Sequence, residues 1–244
     1  MADLAEIYAT TRKELSSFVS SLTEEELERP VPATPGWSVR DVIAHLAGDL
    51  ERIAVGDFPR EFFAALGSEQ GVAELNAWTA RHVADRRGRP LQDVLDEWED
   101  AAAALAPMIR GDAPWPEGVL PFAAHVLVTD IGVHQQDVYG ALGLVRDRDA
   151  APVRIGVATY TAGIDIRLNA TNAPALRLVT EDKEKVAGAG EPVATVRAPR
   201  FELFRALSGR RSPDQVRAYE WDGDPGPFLE LFYPYGLREE ALVE

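Results

Sequence analysis

The sequence predicts an α+β protein in which an N-terminal helix bundle precedes a smaller mixed α/β half. Two observations carry this. Apolar residues recur at helical spacing from Leu4 to about Gly140, and beyond a charged run at Arg146 to Ala151 the pattern changes to short strand-like segments. That run, poor in apolar residues, is where a domain boundary is expected, giving a bundle over 1-146 and an α/β domain over 152-244.

From Leu4, the residues Ile7, Tyr8, Leu15, Phe18, Val19 and Leu22 form one apolar stripe, and the polar stretch Glu24 to Glu26 follows it. Pro30, Pro32, Pro35 and Gly36 break the chain. Ser38 with Asp41 three residues later reads as a helix N-cap with its capping-box partner, opening a helix striped by Val39, Val42, Ile43, Leu46, Leu50 and Ile53. Further helices are expected over about Ser68 to Arg87, over Leu91 to Ile109, and from Pro121 to about Gly140. In the second half, Ala175 to Thr180, Pro192 to Val196 and Gln215 to Trp221 read as strands. Gly188 to Gly190 suits a turn, and Phe201 to Leu207 is helical up to Gly209.

Composition excludes several classes. A formal charge of -15 disfavours nucleic-acid binding through a phosphate-neutralising surface, and no basic run offsets it. No apolar run approaches the roughly 18 residues needed to cross a bilayer, and no charged-then-apolar leader opens the chain, so a soluble cytoplasmic protein is expected. With no cysteine, metal ligation falls to imidazole and carboxylate, and any reactive thiol comes from outside. Lysine occurs only at Lys13, Lys183 and Lys185, against many arginines and alanines, a usage that points to a high-GC bacterial gene.

The helix after Pro121 holds the chemistry. On a helical wheel Phe122, Val126, Leu127, Ile131, Val133 and Val138 form an apolar arc, and Asp130, His134 and Asp137 fall inside it. His125, Thr129, Gly132, Gln135 and Gln136 fill the expected solvent side. A buried carboxylate needs a cation, a shifted pKa or a metal ion. Asp130 and His134, four apart, share a face about one turn from each other, as in helix-borne metal pairs. His45, on the edge of another helix's apolar face, is the natural third ligand, since facing helices of a bundle build metal sites in this way. Three such ligands leave an open coordination position, the mark of a catalytic site. Asp137 would orient an imidazole or touch substrate. The same spacing also suits a buried Asp–His pair that only fixes helix register. His82, sharing a face with Leu75, Trp78 and Thr79, reads as either a pocket or a core residue, and His125 as exposed.

These residues resemble a known family. The segment from Trp37 to Leu46, with its Ser38, Arg40, Asp41 and His45, is similar to the N-terminal histidine motif of the mycothiol-dependent maleylpyruvate isomerase family, a branch of the DinB-like four-helix bundles. Asp130, His134 and Asp137 resemble that family's second metal motif, although the family commonly has glutamate where this chain has Asp130. Leu203 to Arg211, with the Gly209-Arg210 pair, and Trp221 to Pro225 resemble its sterol-carrier-like α/β domain.

The resemblance implies a Zn²⁺, or another divalent metal, held by His45, Asp130 and His134, with mycothiol as thiol cosubstrate and a small-molecule electrophile as substrate. It implies an active-site arginine from the C-terminal half, for which Arg210 is the nearest match; apart from the resemblance, Trp37 and His82 are candidate pocket residues. A coordinated thiol becomes thiolate, which in an isomerase adds to a conjugated double bond and leaves again, and in an S-transferase stays attached. A non-catalytic small-molecule binding protein with a structural His/Asp cluster, or a metal-dependent hydrolase on the same scaffold, remains the alternative.

Overall fold

The computed structural model describes residues 3–244. Along the chain the helices are α1 (Leu4–Ser20), α2 (Glu24–Leu27), α3 (Val39–Ala54), α4 (Arg60–Ala64) and α5 (Glu69–Arg86). They continue as α6 (Leu91–Arg110), α7 (Ala123–Ala141) and α8 (Ala151–Thr171). Strands β1 (Ala175–Val179), β2 (Glu184–Ala187) and β3 (Pro192–Arg197) follow, then α9 (Arg200–Leu207), α10 (Pro213–Arg217), β4 (Glu220–Asp222) and a 3-10 helix, Gly226–Phe232.

Local signals set the starts of the long helices. Asp3 accepts from the backbone N–H of Ala5 and Glu6 at the head of α1, and Ser38 and Asp41 form a reciprocal capping box at the head of α3. Such a cap stabilises a helix by about 1 kcal/mol. The polar stretch at Glu24 folds as α2, because Thr23 and Glu26 form a second capping box. α6 stops at Gly111, whose φ of 86° suits glycine.

α1, α3, α6 and α7 pack around one core, with α5 against α3. Leu15, Val42, Leu46, Leu50, Trp98, Leu105 and Ile131 belong to it, and the Trp98 indole N–H donates to the Tyr8 hydroxyl at 2.9 Å. Each aliphatic residue of this kind contributes roughly 1.5–3 kcal/mol by burial.

The four-stranded sheet has the order β2-β1-β3-β4, with β1 and β3 parallel and the outer pairs antiparallel. Leu168, Leu176, Val196, Leu203, Phe228 and Phe232 form its core. A small third cluster of Val133, Val153, Phe201 and Phe204 joins α7, α8 and α9. No helix among the described residues is long and apolar enough to cross a membrane.

Two expectations need correction, and one helix has no counterpart among them. α8 was not foreseen, because Val153, Ile155, Val157, Thr159 and Thr161 alternate as a strand would, yet they lie on a helix packed on both α7 and α9. Gln215 to Trp221 is not one strand: Ser212 and Gln215 form a capping box and Pro213 opens α10, which leaves only Glu220–Asp222 as β4. The outer face of α7 is not exposed. Thr129, Gln135 and Gln136 are buried, and Gly132 abuts Pro152, where an added Cβ would lie 2.6 Å from the proline Cβ. α8 covers that face, so α7 is buried almost all round; His125 is exposed, as expected.

Candidate metal centre

α3 and α7 bring the three proposed ligands together. His45, 3% exposed, directs Nε2 to within 3.6 Å of Asp130 Oδ2, and His134 directs its own Nε2 to within 3.5 Å of Asp130 Oδ1. One ligand atom from each of His45, Asp130 and His134 falls within 4.8 Å of the others. The far side of each ring meets a second carboxylate. His45 Nδ1 lies 3.3 Å from Asp49 Oδ1, and His134 Nδ1 lies 3.0 Å from Asp137 Oδ2. Imidazoles that ligate metals through one nitrogen commonly engage a carboxylate through the other, which fixes tautomer and ring orientation. Two imidazoles, each with a carboxylate near its Nδ1, and one carboxylate between their Nε2 atoms form a donor set that fits a divalent ion.

A second group of the same kind, His45, Asp49 and His82, lies deeper. His82 is fully buried, with Nδ1 3.1 Å from Asp49 Oδ1 and 3.3 Å from His45 Nδ1, its ring nearly parallel to that of His45. This contact depends on Gly48, since a Cβ there would lie 2.4 Å from His82 Cβ. His82 therefore sits behind His45 and does not line the cavity, which of the two readings of its shared face with Trp78 leaves the core one. Trp37 does line it, with ring centroids 5.0 Å from His45 and 6.2 Å from His134.

The electrostatics separate the acids. Burial and the nearby Asp130 charge push the Asp49 carboxyl well above the usual range. Burial alone would raise Asp130 too, but His134 and His45 outweigh it and hold Asp130 low. Burial, reinforced by the charges of His45 and Arg86, pulls His82 down to about 3, so it is a neutral imidazole at physiological pH.

Asp137 ties the bundle to the second half. Arg205 Nη2 donates to Asp137 Oδ1 at 2.6 Å and Arg210 Nη2 to Asp137 Oδ2 at 2.9 Å. Burial opposes ionisation of Asp137, yet the Arg210 and Arg205 guanidiniums hold its carboxyl well below the ordinary value. Arg205 also donates from Nε to Glu244 Oε2 at 2.9 Å, and Arg211 pairs with Glu202 at 2.7 Å. The sequence reading named Arg210 and Asp137, but it missed Arg205, Asp49 and Glu244. A signal existed for two of these: Arg205 interrupts an apolar helix, and Asp49 follows His45 by one turn inside the α3 stripe.

His45, Asp49, Asp130, His134 and Arg210 share the wall of one cavity of about 480 Å³. Phe58, Phe62, Phe63, Trp78, Tyr160 and Tyr235, with Trp37, supply its aromatic part, and Thr34, Asn76 and Thr79 are polar members of the wall. Burial raises both tyrosines, so they are neutral phenols.

Comparison with known proteins agrees with this architecture. The chain is similar to the crystal structure of a mycothiol-dependent maleylpyruvate isomerase, with TM-score 0.56 and 15% identity over 85% of this chain and 88% of that one. A histidine-to-alanine mutant of that enzyme gives TM-score 0.57 and 15% identity over 90% and 91%. At such identity the likeness is one of fold. No curated protein sequence matches the chain. The sequence profile described as the mycothiol maleylpyruvate isomerase N-terminal domain matches residues 8–139. The chain therefore belongs to the mycothiol maleylpyruvate isomerase N-terminal domain family.

Proposed function

We propose that the chain is a zinc- and mycothiol-dependent enzyme, an isomerase or S-transferase that acts on a small electrophile. The observation that carries this reading is the paired arrangement of His45 and His134: each turns Nε2 toward Asp130 and Nδ1 toward a second carboxylate. In this reading His45, Asp130 and His134 hold the metal, with Asp130 taking the place of the glutamate common in the family. A divalent ion held there supplies the positive charge that makes the thiolate the prevailing form of a thiol at neutral pH.

The chain's own residues do the rest. Asp49 and Asp137 keep the two imidazoles in the tautomer whose Nε2 is free to ligate. Arg210, pinned by Asp137, stands on the cavity wall as the nearest fixed positive charge for a substrate oxygen that gains electron density. The aromatic wall excludes water from the reacting atoms. The chain has no cysteine, so the nucleophilic sulfur is the cosubstrate's.

The test is turnover of zinc-loaded protein with mycothiol and either maleylpyruvate or 1-chloro-2,4-dinitrobenzene. Turnover that needs both zinc and thiol, and that is lost in His134→Ala, supports the reading. Turnover with zinc alone would identify a hydrolase and overturn it.

A further inference from the structure

We infer that the Tyr160 and Tyr235 hydroxyls work as a pair, one donating to the other and the second donating its own O–H to the substrate oxygen on which charge collects. The inference rests on the proposed function, in which an outside thiolate attacks the electrophile. Two features carry it, the unspent proton of the pair and the way both rings are held.

The two hydroxyls lie 3.1 Å apart, and both residues share the cavity wall with Arg210, Asp130 and His134. Two phenols carry two protons, and the hydrogen bond between them uses one. Among the described residues neither hydroxyl has another partner, so one O–H is left for what enters the cavity. Burial keeps both phenols protonated, and the Arg210 charge acts on both. A hydroxyl that accepts a hydrogen bond is polarised into a stronger donor. The other uncharged polar members of the wall are less suited. Asn76 is exposed, Thr79 gives its hydroxyl to the Asn76 carbonyl at 3.2 Å, and an aliphatic hydroxyl such as that of Thr34 is a weaker acid than a phenol.

Both rings are fixed before a substrate arrives. Phe62 lies parallel to Tyr235 with 5.5 Å between centroids, and the Tyr160 ring meets Tyr235 edge-on at 6.4 Å. Tyr160 belongs to α8. Tyr235 belongs to the chain beyond the 3-10 helix, which Arg238 fastens to the bundle by donating to the Pro32 and Ala33 carbonyls at 3.0 and 2.9 Å. A donor held in this way needs no reorganisation as charge develops.

The electrons balance with no proton leaving the pair. The thiolate's lone pair forms the carbon–sulfur bond, and the π pair it displaces moves onto an oxygen conjugated with that carbon. Arg210, with the ion proposed on His45, Asp130 and His134, supplies positive charge to the same cavity, and the phenol pair adds a directed O–H. Return of the electron pair expels the thiolate in an isomerase or a leaving group in an S-transferase, and both phenols stay neutral.

The test is kcat and KM of the zinc-loaded full chain with mycothiol and either maleylpyruvate or 1-chloro-2,4-dinitrobenzene, in Tyr160→Phe, Tyr235→Phe and the double variant. Zinc content and circular dichroism verify the site and the fold. The expected kcat is severalfold lower in each single variant and at least about tenfold lower in the double one, with KM within about twofold, because the donor is felt most as charge develops. A wild-type kcat in the double variant would overturn the inference and leave the proposed function standing. A wild type without thiol-dependent turnover would sink the proposed function, and the carbonyl stretch of acetophenone with the metal-free chain then decides the inference. A band lowered by hydrogen bonding in the wild type and restored in the double variant sustains it. Absence of that band from the wild type, or its survival in the double variant, overturns it.

Discussion

Asp137 Oδ2 lies 3.0 Å from His134 Nδ1, so the residue that orients one proposed metal ligand is also the residue on which Arg205 and Arg210 of the second half converge. Ligand geometry and one of the ties between the two halves thus share one buried carboxylate.

Asp137→Asn should therefore have two effects. It removes the charge that holds His134 in its tautomer, and metal affinity should fall about 10–100-fold. It also leaves two buried guanidiniums short of a counter-charge, at a cost of about 3–5 kcal/mol. Chelator competition reads the first effect and urea denaturation the second. A variant that loses stability but keeps full affinity would separate the two roles.

In the metal-free protein, acidification removes stability through His82 and Asp137, while Asp49, whose carboxyl is held well above its ordinary value by burial, contributes in the opposite direction. His82 is held down to about 3 in the fold, against an ordinary value near 6.5. The unfolded chain therefore takes up a proton below about pH 6.5 that the folded chain refuses, and this contribution to stability, complete above that pH, declines on acidification. Asp137 acts in the same direction at lower pH: its carboxyl is depressed in the fold, so its contribution is present above the unfolded value near 4 and is lost as pH falls further. Because Asp49 opposes this loss, the share of His82 is read as a difference between melting temperatures from pH 8 to 4 in the wild type and in a variant without it. They should decline less in His82→Gln, and an unchanged slope there would show that His82 is not buried neutral.

Gly48→Ala tests the packing beneath His45. Its new Cβ would meet His82 Cβ at 2.4 Å, a contact of rigid atoms on two helices, so α3 and α5 must separate. Overpacking of this kind costs about 1–3 kcal/mol. Because His82 and Asp49 support His45, metal affinity should fall with the melting temperature, whereas Gly163→Ala, where an added Cβ makes only a 3.8 Å contact with Leu66, should leave affinity unchanged.

Arg210→Ala should leave metal content intact, since Asp137 keeps Arg205 and its approach to His134. Thiol-dependent turnover should drop about a hundredfold, as for removal of one preorganised electrostatic group. Loss of metal instead would mean that Arg210 acts only through Asp137.

Much of the bundle was legible because its signals are local. The Ser38–Asp41 box, the α3 stripe and the intrusion of Asp130, His134 and Asp137 into an apolar arc can all be read within one helix. What could not be read depends on contacts between elements. The outer face of α7 looks solvent-exposed until α8 covers it, and α8 itself alternates like a strand because two of its sides meet other elements. Trp78 and His82 share a face, yet Trp78 lines the cavity while the close approach allowed by Gly48 puts His82 behind His45. Arg205 and Glu244 are 39 residues apart and meet only in the folded chain.

The most direct test of the central claim is elemental analysis of protein purified without chelator or affinity metal, alongside His45→Ala and His134→Ala. The account predicts near-stoichiometric zinc in the wild type and its loss from both variants, each of which removes one Nε2 facing Asp130. A wild-type chain that holds no metal and takes none up when zinc is supplied would contradict it, and the cluster of His45, Asp130 and His134 would then be a buried polar network without a catalytic ion.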